Sequence, residues 1–246
     1  EIGCSVTINI TNVKTPSNFY GILPFGTESY DAYRNNLELD LNSLNTDLNT
    51  ENAPKIIEYS KLCIDMENDY SKISSRENCE IFHAEGSLVA VNGGDHFFRG
   101  RVIENDYFHN FVTVIDIDMQ NVVKVERKSV FKLKACYCQF PAMAVNLSLS
   151  NVVPLNGTWD DQATFAFKNW TVGKHFVGQI VSFDHLSDRY IVELLGVIDS
   201  EEVLVSELLI RKGLAKSVSD YVPVDIKENQ HLNDDDNDDE FCDSNE

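Results

Sequence analysis

The sequence predicts a mainly β chain with a few helices, organised around a small and strongly bent antiparallel sheet. Three observations carry that prediction. Within His96–Val125, Val, Ile and Phe recur with period two in three short runs, Phe97–Val102, Phe111–Ile117 and Val122–Val125. The polar stretches Glu104-Asn105-Asp106 and Met119-Gln120-Asn121 interrupt them, as turns interrupt antiparallel strands. Further alternating runs stand toward both ends of the chain, while Glu28–Leu48 switches to spacings of three and four.

Taken in order, Ile2–Val13 alternates as a strand that continues through Phe19–Leu23. Glu28–Leu48 sets Tyr30, Tyr33, Leu37, Leu41, Leu44 and Leu48 on one stripe of an amphipathic helix, with Asn, Asp and Glu opposite. Thr27 and Ser29 are its N-cap candidates, and the polar stretch before Pro54 ends it. Lys55–Glu80 reads as a short helix or a strand with a loop around Ser71–Asn78. Gly86–Lys134 holds the bent sheet, and Ala135–Leu149 bridges to the remainder. Trp159–Phe167 is a second helix carrying Ala163, Phe165, Ala166 and Phe167. Val172–Val181, Tyr190–Leu195 and Val197–Val205 are strands, and Val205–Leu214 is a last short helix stopped near Gly213. Polar composition takes over after Lys216, and from His231 charge repulsion predicts a solvated, disordered tail.

At 246 residues and 43% hydrophobic content, the chain buries a sizeable core as one large domain or two intimate lobes. It opens at Glu1 without methionine, as expected of a segment excised from a longer protein. No apolar run approaches the roughly 20 residues that span a bilayer. The net charge is −20, and eight acidic residues with no basic one between Leu232 and Glu246 leave −12 on the rest. Nucleic-acid affinity needs clustered Lys and Arg, so this balance disfavours RNA and DNA. It favours a cationic partner such as an Arg-rich peptide.

The chemistry of catalysis and metal binding is not written into the sequence. The six cysteines, Cys4, Cys63, Cys79, Cys136, Cys138 and Cys242, are expected mostly as free, buried thiols. Cys136-Tyr137-Cys138 has no second pair at zinc-site spacing. The histidines form no HxH or HExxH pattern, and no phosphate-binding glycine loop occurs. Asp234, Asp236 and Asp238 alternate as in a calcium loop, but Asp239 stands where that loop requires Gly. Asn9, Asn146, Asn156 and Asn169 begin glycosylation sequons in a chain whose Asn, Ser and Thr content accounts for them by chance. No cofactor and no metal are expected.

A series of short blocks has a family resemblance. Thr15-Pro16-Ser17-Asn18-Phe19-Tyr20 precedes Gly21-Ile22-Leu23, and Phe97-Phe98-Arg99 precedes Ile115-Asp116-Ile117-Asp118 and Asn121. Phe140-Pro141-Ala142-Met143-Ala144 is followed by Leu147, Val152-Val153-Pro154, Trp159-Asp160, Ala163, Phe165 and Phe167, then Gly213-Leu214-Ala215. In this order over Ser5–Ser217, the blocks resemble extended Tudor domains. The resemblance implies a Tudor barrel (86–134) inserted in an OB-like, staphylococcal-nuclease-like lobe (1–27 and 150–217). The 28–48 helix would link them, and 218–246 would be an acidic tail.

The same resemblance names a site and a function. Matching Asp118 and Asn121 to the family pattern puts Phe98 at one position of the methylarginine cage. Asp116 and Met119 then replace two more rings, and Asn92 falls near the fourth. Each ring contributes roughly 0.5–2 kcal/mol of cation–π attraction, so the copy implies a barrel whose cage has decayed. Asn92, Phe98, Asp116, Met119 and Asn121 are the candidate peptide-binding residues. Asp116 is expected to pair with an unmodified guanidinium in an acidic cleft between the lobes. Arg99 and Asp118 are expected as a cross-strand ion pair. A cage rebuilt from Phe97, Tyr107, Phe108 or Phe111 is the alternative, as is a structural or oligomerisation module. The implied role is a non-catalytic adaptor of the piRNA pathway. Its partner would be the Arg-rich N-terminal tail of a Piwi-clade Argonaute in cytoplasmic, perinuclear germ granules (nuage), with no membrane contact. Self-association is left to other parts of the full protein.

Overall fold

The computed structural model describes residues 3–26, 53–73 and 84–220. The helix expected over 28–48, with its N-cap candidates Thr27 and Ser29, lies outside the described residues, as do Cys79, Cys242 and the acidic run from 221 onward.

The two ends of the chain build one lobe. Strand β1 (Ser5–Thr15) turns Val6, Ile8, Ile10 and Val13 inward. It pairs with β2 (Asn18–Ile22) through its second half and with β10 (His175–Asp184) through its first. Bulges at Ile10/Asn12 and Val13/Thr15 bend the strand enough to serve both neighbours. Strand β8 (Ala144–Leu149) continues the sheet beside β2, and β11 (Arg189–Ile198) follows parallel to β8 and antiparallel to β10. Because β10 meets both β1 and β11, the sheet closes as a barrel, and β12 (Glu201–Leu204) extends β11 outside the closure. Short β9 (Val152–Val153) pairs with β13 (Lys216–Ser217).

Four α-helical segments occur among the described residues, one of them a single turn. Helix α1 is Pro54–Tyr70, α2 is the turn Ala135–Cys138, α3 is Asp161–Thr171 and α4 is Val205–Arg211. Helix α3 begins at Asp160, whose carboxylate accepts from the Ala163 amide at 2.7 Å. Its buried positions Ala163, Phe167 and Thr171 follow at helical spacing, and Phe167 meets the edge of Phe19 at 5.1 Å. Phe165, which the sequence pattern includes in that stripe, points to solvent.

The middle of the chain forms the second, smaller barrel. Its strands are β3 (Leu88–Asn92), β4 (Phe97–Asp106), β5 (Phe111–Asp116), β6 (Val122–Glu126) and β7 (Val130–Lys132), in the order β6-β5-β4-β3-β7. The 3-10 turn Arg127–Ser129 carries the chain from one end of this order to the other. Val89, Val91, Val102, Val112, Val114 and Val130 fill the interior with Phe98. The expected break at Glu104-Asn105-Asp106 does not occur, because a bulge between Val102 and Glu104 absorbs the irregularity and β4 runs on to Asp106.

Residues 54–70, left open in the sequence between a short helix and a strand, are a regular helix. Proline opens it and Leu62, Met66 and Tyr70 recur at i, i+4 and i+8. That stripe packs with Ala90, Phe97, Phe131 and Leu133 on the outside of the small barrel. The bridge between the lobes ends at Met143. Ala144–Leu149, assigned to the bridge by sequence, is a strand of the outer barrel, since its register with β2 and β11 recruits it there. Cys136 and Cys138 are exposed thiols rather than buried ones, because α2 is a single turn on the surface.

Candidate functional site

The five candidate binding residues sit at one end of the small barrel, around the β3–β4 and β5–β6 turns, but local geometry occupies most of them. Asn92 is exposed and its side-chain oxygen accepts from the Gly94 amide at 2.9 Å, which shapes the β3–β4 turn. Phe98 is 6% exposed and packed among the interior valines, with His96 beside it at 6.3 Å. Asp116 is buried, and one carboxylate oxygen accepts from the amides of Asp118 and Met119 at 2.8 and 3.1 Å. Its own amide donates to the Asn121 carbonyl at 2.8 Å, closing the turn in which Gln120 takes a positive φ. Met119 is half-buried and the Asn121 side chain is exposed. Burial pushes the Asp116 carboxyl up to about 6, against the pull of those two amides.

Arg99 and Asp118 form the buried hub of this end of the barrel. Nε of Arg99 donates to Asp118 Oδ2 at 3.0 Å and a terminal nitrogen donates to Oδ1 at 2.5 Å. The remaining donors reach the carbonyls of Tyr137, Phe140 and Pro141, and Asp118 Oδ1 also accepts from the Met143 amide. Asp118 stands in the turn beyond β5 rather than on a strand. The pair therefore ties the barrel to the bridge, beyond joining two strands.

The rings proposed for a rebuilt cage do not converge. Phe97 is buried against Tyr70 and Phe131 beneath α1. Tyr107 and Phe108 lie past the opposite end of β4, with Tyr107 under the Arg127 guanidinium and Phe108 fully in solvent. Phe111 carries the Lys124 ammonium at 5.3 Å.

Between the lobes runs a cleft of about 780 Å³. Leu88, Arg101, Ile115, Ile117 and Gln120 form its barrel wall, and Phe140 and Pro141 of the bridge its floor. Tyr20, Asn146, Phe183, Asp188 and Tyr190 form the opposite wall. The Asn12 side chain donates to the Gln120 carbonyl and so links the walls. The expectation of an acidic cleft centred on Phe98 and Asp116 is corrected here. Neither residue lines it, because one faces the barrel interior and the other caps a turn, and among the described residues the lining carries Arg99 and Arg101 against the carboxylate of Asp188.

Sequence reasoning missed this outer wall. Its signal was present in the hairpin of β10 and β11, where Phe183 is Tyr190's partner in register and Asp188 stands in the turn beside them. Cross-strand partners face the same way.

The comparisons with known proteins agree with this architecture. No family model matches the chain. Over 161 residues, 64% of its length, the chain is 29% identical to Tudor domain-containing protein 5 of Danio rerio. Over 138 residues, 53% of its length, it is 29% identical to Tudor domain-containing protein 6 of Homo sapiens. It spans 18% and 6% of those two proteins, so it corresponds to a small part of each. Among solved structures, extended Tudor domain TD3 of mouse TDRD1, in complex with a MILI peptide containing dimethylarginine, superposes with a TM-score of 0.64 at 17% identity. That match covers 88% of this chain and 95% of the other. A mutant Drosophila melanogaster Papi extended Tudor domain, in complex with a Piwi N-terminal peptide dimethylated at arginine, gives a TM-score of 0.62 at 15% identity, covering 87% of this chain and 99% of the other. With its small barrel set into a closed outer barrel, this chain has the fold of an extended Tudor domain.

Proposed function

We propose that this chain is a non-catalytic adaptor that binds the Arg-rich N-terminal tail of a Piwi-clade Argonaute without requiring arginine methylation. The observation that carries the reading is the interlobe cleft paired with a barrel mouth whose described residues form no cage. An extended segment would lie between two walls that offer rings and a carboxylate. Where a cage would need rings, the barrel has a buried Phe98, a turn-capping Asp116, a half-buried Met119 and a turn-shaping Asn92. Similar extended Tudor domains hold methylarginine peptides, one of them a dimethylated Piwi N-terminal peptide, which supports the choice of partner. The acidic balance of the chain favours a basic tail and disfavours nucleic acid. Such an adaptor would work in the piRNA pathway, in cytoplasmic perinuclear germ granules, without cofactor or metal.

Calorimetric titration with one Arg-Gly-rich Piwi tail peptide, unmodified and symmetrically dimethylated, tests the reading. Equal or tighter binding of the unmodified form is expected. Clearly tighter binding of the dimethylated form overturns methylation independence, and binding of neither overturns the adaptor role.

A further inference from the structure

We propose that the arginine of the bound peptide seats on the outer lobe, against Tyr190, Phe183 and Asp188, and away from the mouth of the small barrel. The inference rests on the adaptor reading above and adds where the guanidinium goes. Phe183 and Tyr190 are register partners on β10 and β11, with ring centroids 4.7 Å apart and planes tilted by 56°. His185 meets Phe183 edge-on at 4.8 Å from the side of the hairpin turn, which holds the pair in place. Asp188 stands in the hairpin turn just before β11, lines the same cleft wall as Tyr190, and is exposed.

A second, independent feature points to a donor-rich ligand at this wall. Asn146 donates through its side-chain nitrogen to the Ser187 carbonyl at 3.3 Å, which leaves its oxygen facing away from that bond. That oxygen is buried and has no hydrogen-bond partner, the condition under which an added N–H donor is most favourable. Asn146 is the register partner of Tyr20, so both belong to the same wall as the aromatic pair. A guanidinium has five donors and a flat face. It matches a carboxylate, an amide oxygen and two rings better than an ammonium does.

Among the described residues, the other rings of the cleft already have cations. Lys14 stands over Tyr20 at 5.3 Å, and Arg99 over Phe140 at the same distance. On the barrel wall, Arg101 repels an incoming guanidinium toward Asp188 while offering donors to the peptide's backbone carbonyls. Methylation would remove donors that Asp188 and Asn146 can use, and the rings would tolerate the methyl groups. The two effects oppose each other, in keeping with indifference to methylation.

The test compares wild type with Asp188→Asn, Tyr190→Ala and Asp116→Asn in calorimetric titration against an unmethylated Arg-Gly repeat peptide and its citrulline counterpart. Asn keeps the left-handed backbone at position 188, where φ is 49°, so Asp188→Asn reads charge without refolding the hairpin. Asp188→Asn and Tyr190→Ala are each expected to weaken the arginine peptide about tenfold. Asp116→Asn should leave it unchanged, and citrulline should abolish the difference between wild type and Asp188→Asn. Titration of the wild type followed by NMR should also move the Tyr190 and Phe183 ring resonances. If wild type binds, but neither outer-lobe variant weakens it and those resonances stay still, this inference is overturned and the adaptor reading stands. If wild type does not bind, the adaptor reading falls and this inference with it.

Discussion

Arg99 and Asp118 form a bidentate ion pair at 1% and 0% side-chain exposure, with every guanidinium donor occupied inside the protein. A buried pair gains little over apolar replacements when it stands alone, and breaking it leaves a stranded charge. Here the arginine also holds three carbonyls of the bridge, and the aspartate holds the Met143 amide. Arg99→Ala should therefore lower unfolding free energy by about 3–5 kcal/mol in urea titrations. The double variant Arg99→Met with Asp118→Leu should remain well below wild type, because the bridge carbonyls lose their donors. Recovery of wild-type stability by the double variant would show that the hub does not hold the lobes together.

Asp116 should make the protein less stable near neutral pH than its neutral analogue. Its folded-state pKa, about 6, stands above the ordinary 3.8 because burial penalises the charged form. The folded state therefore holds the proton more tightly than the unfolded state. Its stabilising contribution is complete below about pH 4 and is lost as pH rises through about 6. Asp116→Asn keeps an oxygen for the Asp118 and Met119 amides, and should exceed wild type by up to about 3 kcal/mol near neutrality. The gap should close below about pH 4. Parallel wild-type and variant stability curves across that range would contradict the assignment.

Gly21 allows β2 to lie close against β1. A Cβ built there would stand 2.7 Å from Ile8 Cγ2 and 2.9 Å from the Asn9 carbonyl oxygen. The oxygen belongs to a paired strand and has nowhere to move, so Gly21→Ala should cost about 1–3 kcal/mol and lower the thermal midpoint. An unchanged midpoint would mean that the outer barrel opens at this seam without penalty.

Tyr70 anchors α1 to the small barrel by a polar link inside an apolar contact. Its hydroxyl donates to the Lys132 carbonyl at 3.0 Å and accepts from the Lys134 amide at 2.8 Å. Burial pushes the phenol up to about 12. Tyr70→Phe preserves the ring stack on Phe97 at 5.5 Å and removes both bonds. A loss of about 1–3 kcal/mol is expected by chemical denaturation, with faster amide exchange at Lys134.

The small barrel was legible because its strands are antiparallel and half-buried, so alternation at 97–102, 111–117 and 122–125 reports directly on which side chains turn inward. Outer strand 5–13 was legible for the same reason. The expected strands 190–195 and 197–205 are re-divided, since β11 runs unbroken from Arg189 to Ile198 and a turn at Asp199-Ser200 separates it from β12. The edges of elements were less so. The polar run after Val102 reads as a turn, yet the bulge there lets Glu104, Asn105 and Asp106 stay in the ladder. Helix α1 was obscured by its thin stripe of Leu62, Met66 and Tyr70, which becomes meaningful only once Phe97 and Phe131 face it.

By itself the sequence determined the local periodicities, the acidic balance and the residue types at the barrel mouth, since these depend on near neighbours and on composition alone. Only the tertiary structure decided what those residues are free to do. Asp116 is drawn into a turn by amides two and three residues on, and Phe98 is turned into the valine core. The wall that faces the cleft joins Tyr20 and Asn146 to the hairpin that carries Phe183, Asp188 and Tyr190, and no sequence spacing makes that join. Pairing of β8 with both β2 and β11 does so, because pairing between distant strands sets which side chains share a surface.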